Sequence, residues 1–535
     1  MRGVVRRLVI PATALLLLSC STGPSGPSVR NGGTLYVALD ANPASLIPLL
    51  ANDIVSRRAY TPLYPLLYTA NTDLSIGPDL AAALPAVSDG GKTWKVTLRS
   101  DAKWSDGMPV SADDVVFTVS SERDPALRVH AASPWSGVQK VEKVDKSTVK
   151  FTLAAPDATF LAGSLVTPIV PQHAFADQKP AQIAAHPDAK PAITGGPYLF
   201  NHRDDNAIFL DANPQYFLGR PHMDHVVETI VKEPGKVLDQ LESGKLSWVP
   251  VLDAVSAAAG ASSPGVTVDA YPSLALDAMV FNVRGGHVFA DSLLRQALAS
   301  SIGHDDLVTQ ATSEAQGYPV WGDVNPGSWA YTQSAATHYS LDVNHAKDLL
   351  GRAGWQAQGT GTSWTKGGQP LAADVIYPKS DATLSAAVTL ITTQAKSSGI
   401  ELRPRELDDA AFSSALTHGS FDAAMVSLPT GLDPDDGAFL ATGGPENYGG
   451  YSNPALDALI AGERNAVPAG NQTVQQVRKP IFQHIEQTVS SELPLLFLWV
   501  PRAFTGFNAT VNGVAGAGAQ LDADRADTFY RDWFL

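Results

Sequence analysis

Across residues 92–120 the spacing of apolar and polar positions changes once. Residues 93–98 alternate large and polar side chains with period two, the pattern of a half-buried strand, entered from the turn Asp89-Gly90-Gly91. Further on, Val115, Val116 and Val119 supply one face of a helix. Ser111 stands as its N-cap, with Asp114 in capping-box position. Between the two, Trp104-Ser105-Asp106-Gly107 sets an apolar anchor beside a pair that readily adopts turn conformations. The pattern predicts strand, aromatic corner and capped helix as one compact unit.

The same reading continues along the chain. Residues 138–153 hold two alternating segments around Asp145-Lys146-Ser147, which predicts a hairpin. A strand at 226–231 precedes a helix containing Leu238 and Leu241, which ends at Gly244. Residues 279–283 read as a strand. Asp291 caps a helix over 292–302, and Asp342 caps another, with Ala346, Leu349, Leu350 and Ala353 inward and Gly354 at its end. Strand 375–378, a helix within 384–397 and strand 399–402 form a right-handed βαβ unit. A short strand follows at 421–425, and the apolar run 494–500 reads as another strand.

Charge and cysteine usage narrow the class of protein. With 53 acidic and 38 basic side chains the net charge is −15, which disfavours nucleic acid and anionic lipid as partners. Cys20 is the only cysteine, so no internal disulfide forms and the core alone must hold 535 residues together. Arg2, Arg6 and Arg7 precede an apolar run over 8–18 that is broken by Pro11 and too short to span a bilayer. Leu17-Leu18-Ser19-Cys20 resembles the lipobox of bacterial lipoproteins. This predicts removal of residues 1–19, lipidation of Cys20 and a flexible tether over 20–31, so that the membrane is met through a lipid anchor only.

Catalytic and metal patterns were sought and none is complete. Gly91-Lys92-Thr93 ends like a phosphate-binding loop, but Ala86 stands where its first glycine must be. His222, His225 and Glu228 would suit a metal on a helix, yet Val226-Val227 favours a strand, which points the two histidines to opposite faces. Asp433, Asp435 and Asp436 before Gly437 lack the offset of a calcium loop. No enzyme, metal or cofactor is expected.

Six or more ordered motifs carry a family resemblance. They run from Asp89-Gly90 with Lys92-Thr93-Trp94, through Lys103-Trp104-Ser105-Asp106-Gly107 and the stretch PVSADDVVF (109–117), to PIVPQH (168–173). NPQYF (213–217) with Gly219-Arg220-Pro221, RQAL (295–298) and YSNPALD (451–457) complete the series. In this order they resemble the family 5 extracellular solute-binding proteins, the peptide- and nickel-binding subunits of ABC importers, from about Gly32 to about Gly513. The resemblance implies an α/β fold of the two-lobed periplasmic-binding-protein type (type II, cluster C), with an extra α+β subdomain and a hinge of two crossing strands, which it places at the apolar runs 279–283 and 494–500. It places lobe I in 32–60, 195–281 and 497–535, the inserted subdomain in 61–194 and lobe II in 282–496. It also implies a monomeric receptor on the outer face of the cell membrane, which hands a peptide-like solute to permease and ATPase subunits. A regulatory or scaffolding lipoprotein, or a receptor for a saccharide or metal complex, stays open beside it.

The resemblance also names candidate ligand-binding positions. The loop 429–439 corresponds to one that lies in the interlobe cleft of the relatives, where an aspartate four residues before a proline holds a peptide ammonium. Counting back from Pro434 reaches Thr430, which cannot neutralise an ammonium; Asp433 or Asp435 would have to replace it, or the ligand is not a simple peptide. Tyr318, Trp321 and Trp329 fall where the relatives place cleft-lining residues, and Tyr448, Tyr451 and Asn42 are further candidates.

Overall fold

A computed structural model describes residues 31–127, 134–175, 178–185, 190–312, 317–359, 362–468, 472–514 and 530–535. Cys20, the leader and the tether up to residue 30 lie outside the described residues. Among the described residues no helix is long and apolar enough to cross a membrane.

The 92–120 unit forms as its spacing predicts. Strand Thr93–Thr97 buries Trp94 and Val96 and lies in a four-stranded sheet between Ala86–Ser88 and Thr148–Leu153, with Val138–Lys143 outermost. Helix Ala112–Glu122 carries the full capping box, Asp114 accepting from the Ser111 backbone N–H at 2.8 Å. Trp104 is buried, and the chain returns past it: Ser105 N–H donates to the Thr194 carbonyl at 2.8 Å. Gly195 lies against the Trp104 ring and Gly196 against the Pro62 carbonyl, so neither has room for a Cβ.

A twelve-stranded mixed sheet runs through both lobes. In order it reads Glu401–Leu407, Ala372–Pro378, Ala423–Pro429, Ala275–Phe281, Leu495–Asn508, Trp248–Leu252, Thr34–Leu39, His225–Ile230, Ala207–Ala212 and Tyr198–Arg203. Val266–Pro272 and Gly317–Pro319 also pair with Leu495–Asn508. The predicted βαβ unit is present, its parallel strands Ala372–Pro378 and Glu401–Leu407 joined through helix Ala382–Ala395.

The lobes are joined by one antiparallel ribbon. Val266–Pro272 and Ala275–Phe281, separated only by Ser273-Leu274, both run against the 14-residue strand Leu495–Asn508, from Val266 opposite Asn508 to Val280 opposite Leu495. The partners change where Pro272 faces Arg502 and Ser273 N–H donates to the Pro501 carbonyl at 2.8 Å. The two crossings thus lie at Ser273-Leu274 and Pro501, not within residues 279–283 and 494–500 as the apolar runs suggest. Those runs mark burial on both faces. In Ala275–Phe281, Leu276, Ala278 and Val280 enter one core of the second lobe while Met279 and Phe281 enter another.

Candidate functional site

The ribbon brings an unusual set of polar groups to the junction of the lobes. Thr430 N–H donates to the Leu274 carbonyl at 3.0 Å, and Asn325 Nδ2 to the Ser273 carbonyl at 2.6 Å. Tyr318 sits opposite Val500 on the short strand Gly317–Pro319, with the Arg502 guanidinium 4.5 Å from its ring centre. Around these anchors Ser273 Oγ, Thr430 Oγ1 and Arg502 Nε are buried without a hydrogen-bond partner among the described residues; Trp321 Nε1 and Asp323 Oδ1, on the loop after the short strand, are also unpartnered there. Each such group costs about 1–3 kcal/mol unless something supplies its partner. Their concentration at a hinge is the arrangement of a surface built to receive a polar solute.

The neighbouring loop is built on the opposite plan. Arg478, 2% exposed, donates twice to Asp433 at 2.6 Å and also reaches Glu463 at 2.5 and 2.8 Å. The guanidinium lies 5.9 Å from the Trp329 ring and 5.1 Å from Phe482. Asp435 takes two bonds from Arg464, at 2.5 and 2.9 Å, and caps the backbone by accepting from Gly437 N–H at 2.8 Å. Behind them, Asp323, Asp436 and Glu486 are buried. Burial, and then the charge of Asp323, pushes Glu486 up to about 9 and raises Asp436 well above the carboxylate range; burial pushes Asp323 up to about 7.

The candidate residues therefore separate. Tyr318 and Thr430 meet at the hinge, and Trp321 lies on the adjoining loop, stacked between His304 at 4.6 Å and His338 at 4.2 Å. Asp433 and Trp329 surround Arg478, and Asp435 is paired with Arg464, so both aspartates already hold cations. Tyr451 is buried, its hydroxyl donating to Glu492 Oε2 at 2.6 Å. The Tyr448 carbonyl accepts from Arg284 at 2.8 Å, and its side chain lines a separate pocket of about 360 Å³ with Arg284, Leu416 and Thr442. Asn42 lies beyond the carboxyl end of strand Thr34–Leu39, exposed, its Oδ1 accepting from Arg203 at 2.7 Å. His225 lies on a strand and pairs with Asp211 at 2.7 Å, while His222 contacts Asn31 at 2.8 Å.

A larger cavity of about 730 Å³ opens between the inserted subdomain and the second lobe. Its walls are Pro134, Asp157 and Ser164 on one side and Asp435, Thr442 and Arg464 on the other. The Ala158 N–H, donating to the Arg464 carbonyl at 2.7 Å, closes its edge.

Sequence reasoning missed Ser273, Asn325, Asp323, Arg478 and Arg502. Only Arg502 left a signal, as the single charged residue within Leu495–Asn508.

Comparison with known proteins gives the chain a family and a fold. The pattern of the bacterial extracellular solute-binding proteins, family 5, matches residues 75–450. Protein XP55 of Streptomyces lividans is 28% identical over 91% of this chain and 88% of its own length. The oligopeptide-binding protein AppA of Bacillus subtilis is 24% identical over 92% of each. The ABC transporter substrate-binding protein CtaP of Listeria monocytogenes shares the fold with a TM-score of 0.75 and 23% identity, covering 95% of this chain and 100% of the solved one.

Proposed function

The chain belongs to the bacterial extracellular solute-binding proteins of family 5, and from that premise we propose that it captures a peptide or peptide-like solute for an ABC importer. The hinge carries the reading. Three buried polar atoms there, Ser273 Oγ, Thr430 Oγ1 and Arg502 Nε, have no partner among the described residues, a state that a solute entering between the lobes relieves. A scaffold with no ligand has no use for such a floor, and the loop beside it, where every aspartate but the buried Asp436 is ion-paired, shows that this chain can satisfy its polar groups. Capture needs closure of the lobes about Ser273-Leu274 and Pro501, driven by greater affinity for the closed form and no bond chemistry.

In this reading residues 61–194 are the inserted subdomain, and the second lobe follows the first ribbon crossing and ends at the return crossing. Lipid on Cys20 holds a monomer at the outer face of the membrane, where permease and ATPase subunits accept the solute. AppA, named for oligopeptide binding, is similar over nine-tenths of both chains, which supports the peptide class.

The test is native mass spectrometry of the gently purified protein, followed by denaturation to identify whatever it carries. A peptide released from the protein is the expected result. A released sugar or metal complex changes the ligand class. An empty protein with no thermal stabilisation by peptide or saccharide pools overturns the receptor reading.

A further inference from the structure

The sign of charge at the hinge is the observation that goes furthest. The two aspartates placed to replace an ammonium anchor, Asp433 and Asp435, are held by Arg478 and Arg464. The remaining acids of that region, Asp323, Asp436 and Glu486, are buried and crowded, and burial raises the pKa of each, which disfavours its charged form. Asp277, on the ribbon itself, is also pushed up by burial, to about 7. Arg502 differs from all of these. It has no acidic partner and no side-chain hydrogen bond among the described residues, its Nε is buried, and one face lies on Tyr318. A guanidinium stacked on a ring keeps its N–H edge free, and that edge matches the two oxygens of a carboxylate. Pairing of Pro272 with Arg502, and of the Ser273 N–H with the Pro501 carbonyl, fixes its backbone. Ser273 stands at the ribbon crossing and Thr430 is joined to it through its N–H bond to the Leu274 carbonyl, each with a hydroxyl that has no partner among the described residues.

We propose that Arg502, flanked by Ser273 and Thr430, is an anion subsite that receives a carboxylate of the captured solute, so that the solute meets the hinge with an acidic group and not with an ammonium. The inference rests on the receptor reading above but does not require a peptide.

The purified full-length protein is titrated with a pool of short peptides in three forms: free, N-acetylated and C-amidated. A second pool holds sugar acids and N-acyl amino acids, set against their amides. Calorimetry and thermal shift give the readout. Free and N-acetylated peptides are expected to bind alike, with amidation weakening binding about tenfold or more. Arg502→Gln should abolish the preference for acid over amide, and Arg502→Lys should restore it in part. Should Arg502→Gln fail to fold, the acid and amide pools on the parent protein still decide the matter. Peptides bound regardless of amidation, or lost on N-acetylation, overturn this inference and leave the receptor reading standing. Silent peptides with binding acids and non-binding amides overturn the peptide class and support the subsite. Silence of every pool counts against both.

Discussion

Asp433 and Asp435 each meet an arginine at 2.5–2.6 Å, and between them they hold Arg478 and Arg464 in place. A few residues away along the same loop, Thr430 enters the hinge beside Ser273 and Arg502, where buried polar atoms are left over. A network of paired charges fixes one conformation, because any movement would strand a buried charge. A surface with spare donors and acceptors is less stable alone and gains on meeting a complementary solute. The loop rich in acidic residues therefore acts as framework, and the hinge, with fewer charges, is the candidate for recognition.

The sharpest way to break this contrast is Arg478→Ala. It leaves Asp433 and Glu463 as uncompensated buried acids and should cost about 3–5 kcal/mol in denaturant unfolding. A loss below about 1 kcal/mol would mean the network is not framework. Next comes pH. Glu486, usually near 4.5, is held up to about 9, so the folded chain keeps a proton that the unfolded chain releases. That contribution is full below pH ~4.5 and is lost as pH rises through about 9. Melting temperature should fall between pH 5 and 9, and Glu486→Gln should flatten the slope and exceed the parent at pH 9 by about 1–3 kcal/mol. An unchanged slope would show that Glu486 is ionised in the fold.

Smaller effects separate the two regions further. Arg464→Ala removes a half-exposed partner from Asp435 and should cost about 1 kcal/mol, measured by the same unfolding curves. Thr430→Val deletes a hydroxyl with no partner, so the ligand-free protein should be unchanged or up to about 1 kcal/mol more stable, while solute affinity falls. Destabilisation by Thr430→Val would place that hydroxyl in the framework instead.

Local pattern was a good guide wherever a single element decides the outcome. The Ser111–Asp114 capping box, the caps at Asp291 and Asp342, and the βαβ unit of 372–407 all follow from neighbours within a few residues. The site was legible only in part. Thr430 and Tyr318 reach the hinge, but the aspartates that looked available are consumed by arginines 29 and 45 residues away in sequence. Tyr451 looked like a cleft aromatic and is instead fixed to Glu492, 41 residues on.

By itself the chain's order of apolar and polar residues determined its strands and its capped helices, and its single cysteine the absence of an internal disulfide, because each rests on spacing or on residue identity alone; its two-lobed class was read from the ordered family motifs. Only the tertiary structure decided which carboxylates are spent, where the two lobes join and why Arg502 stands without an acid among the described residues. Pairing of charges depends on contacts between distant segments, and no periodicity in the chain encodes which acid a given arginine will meet.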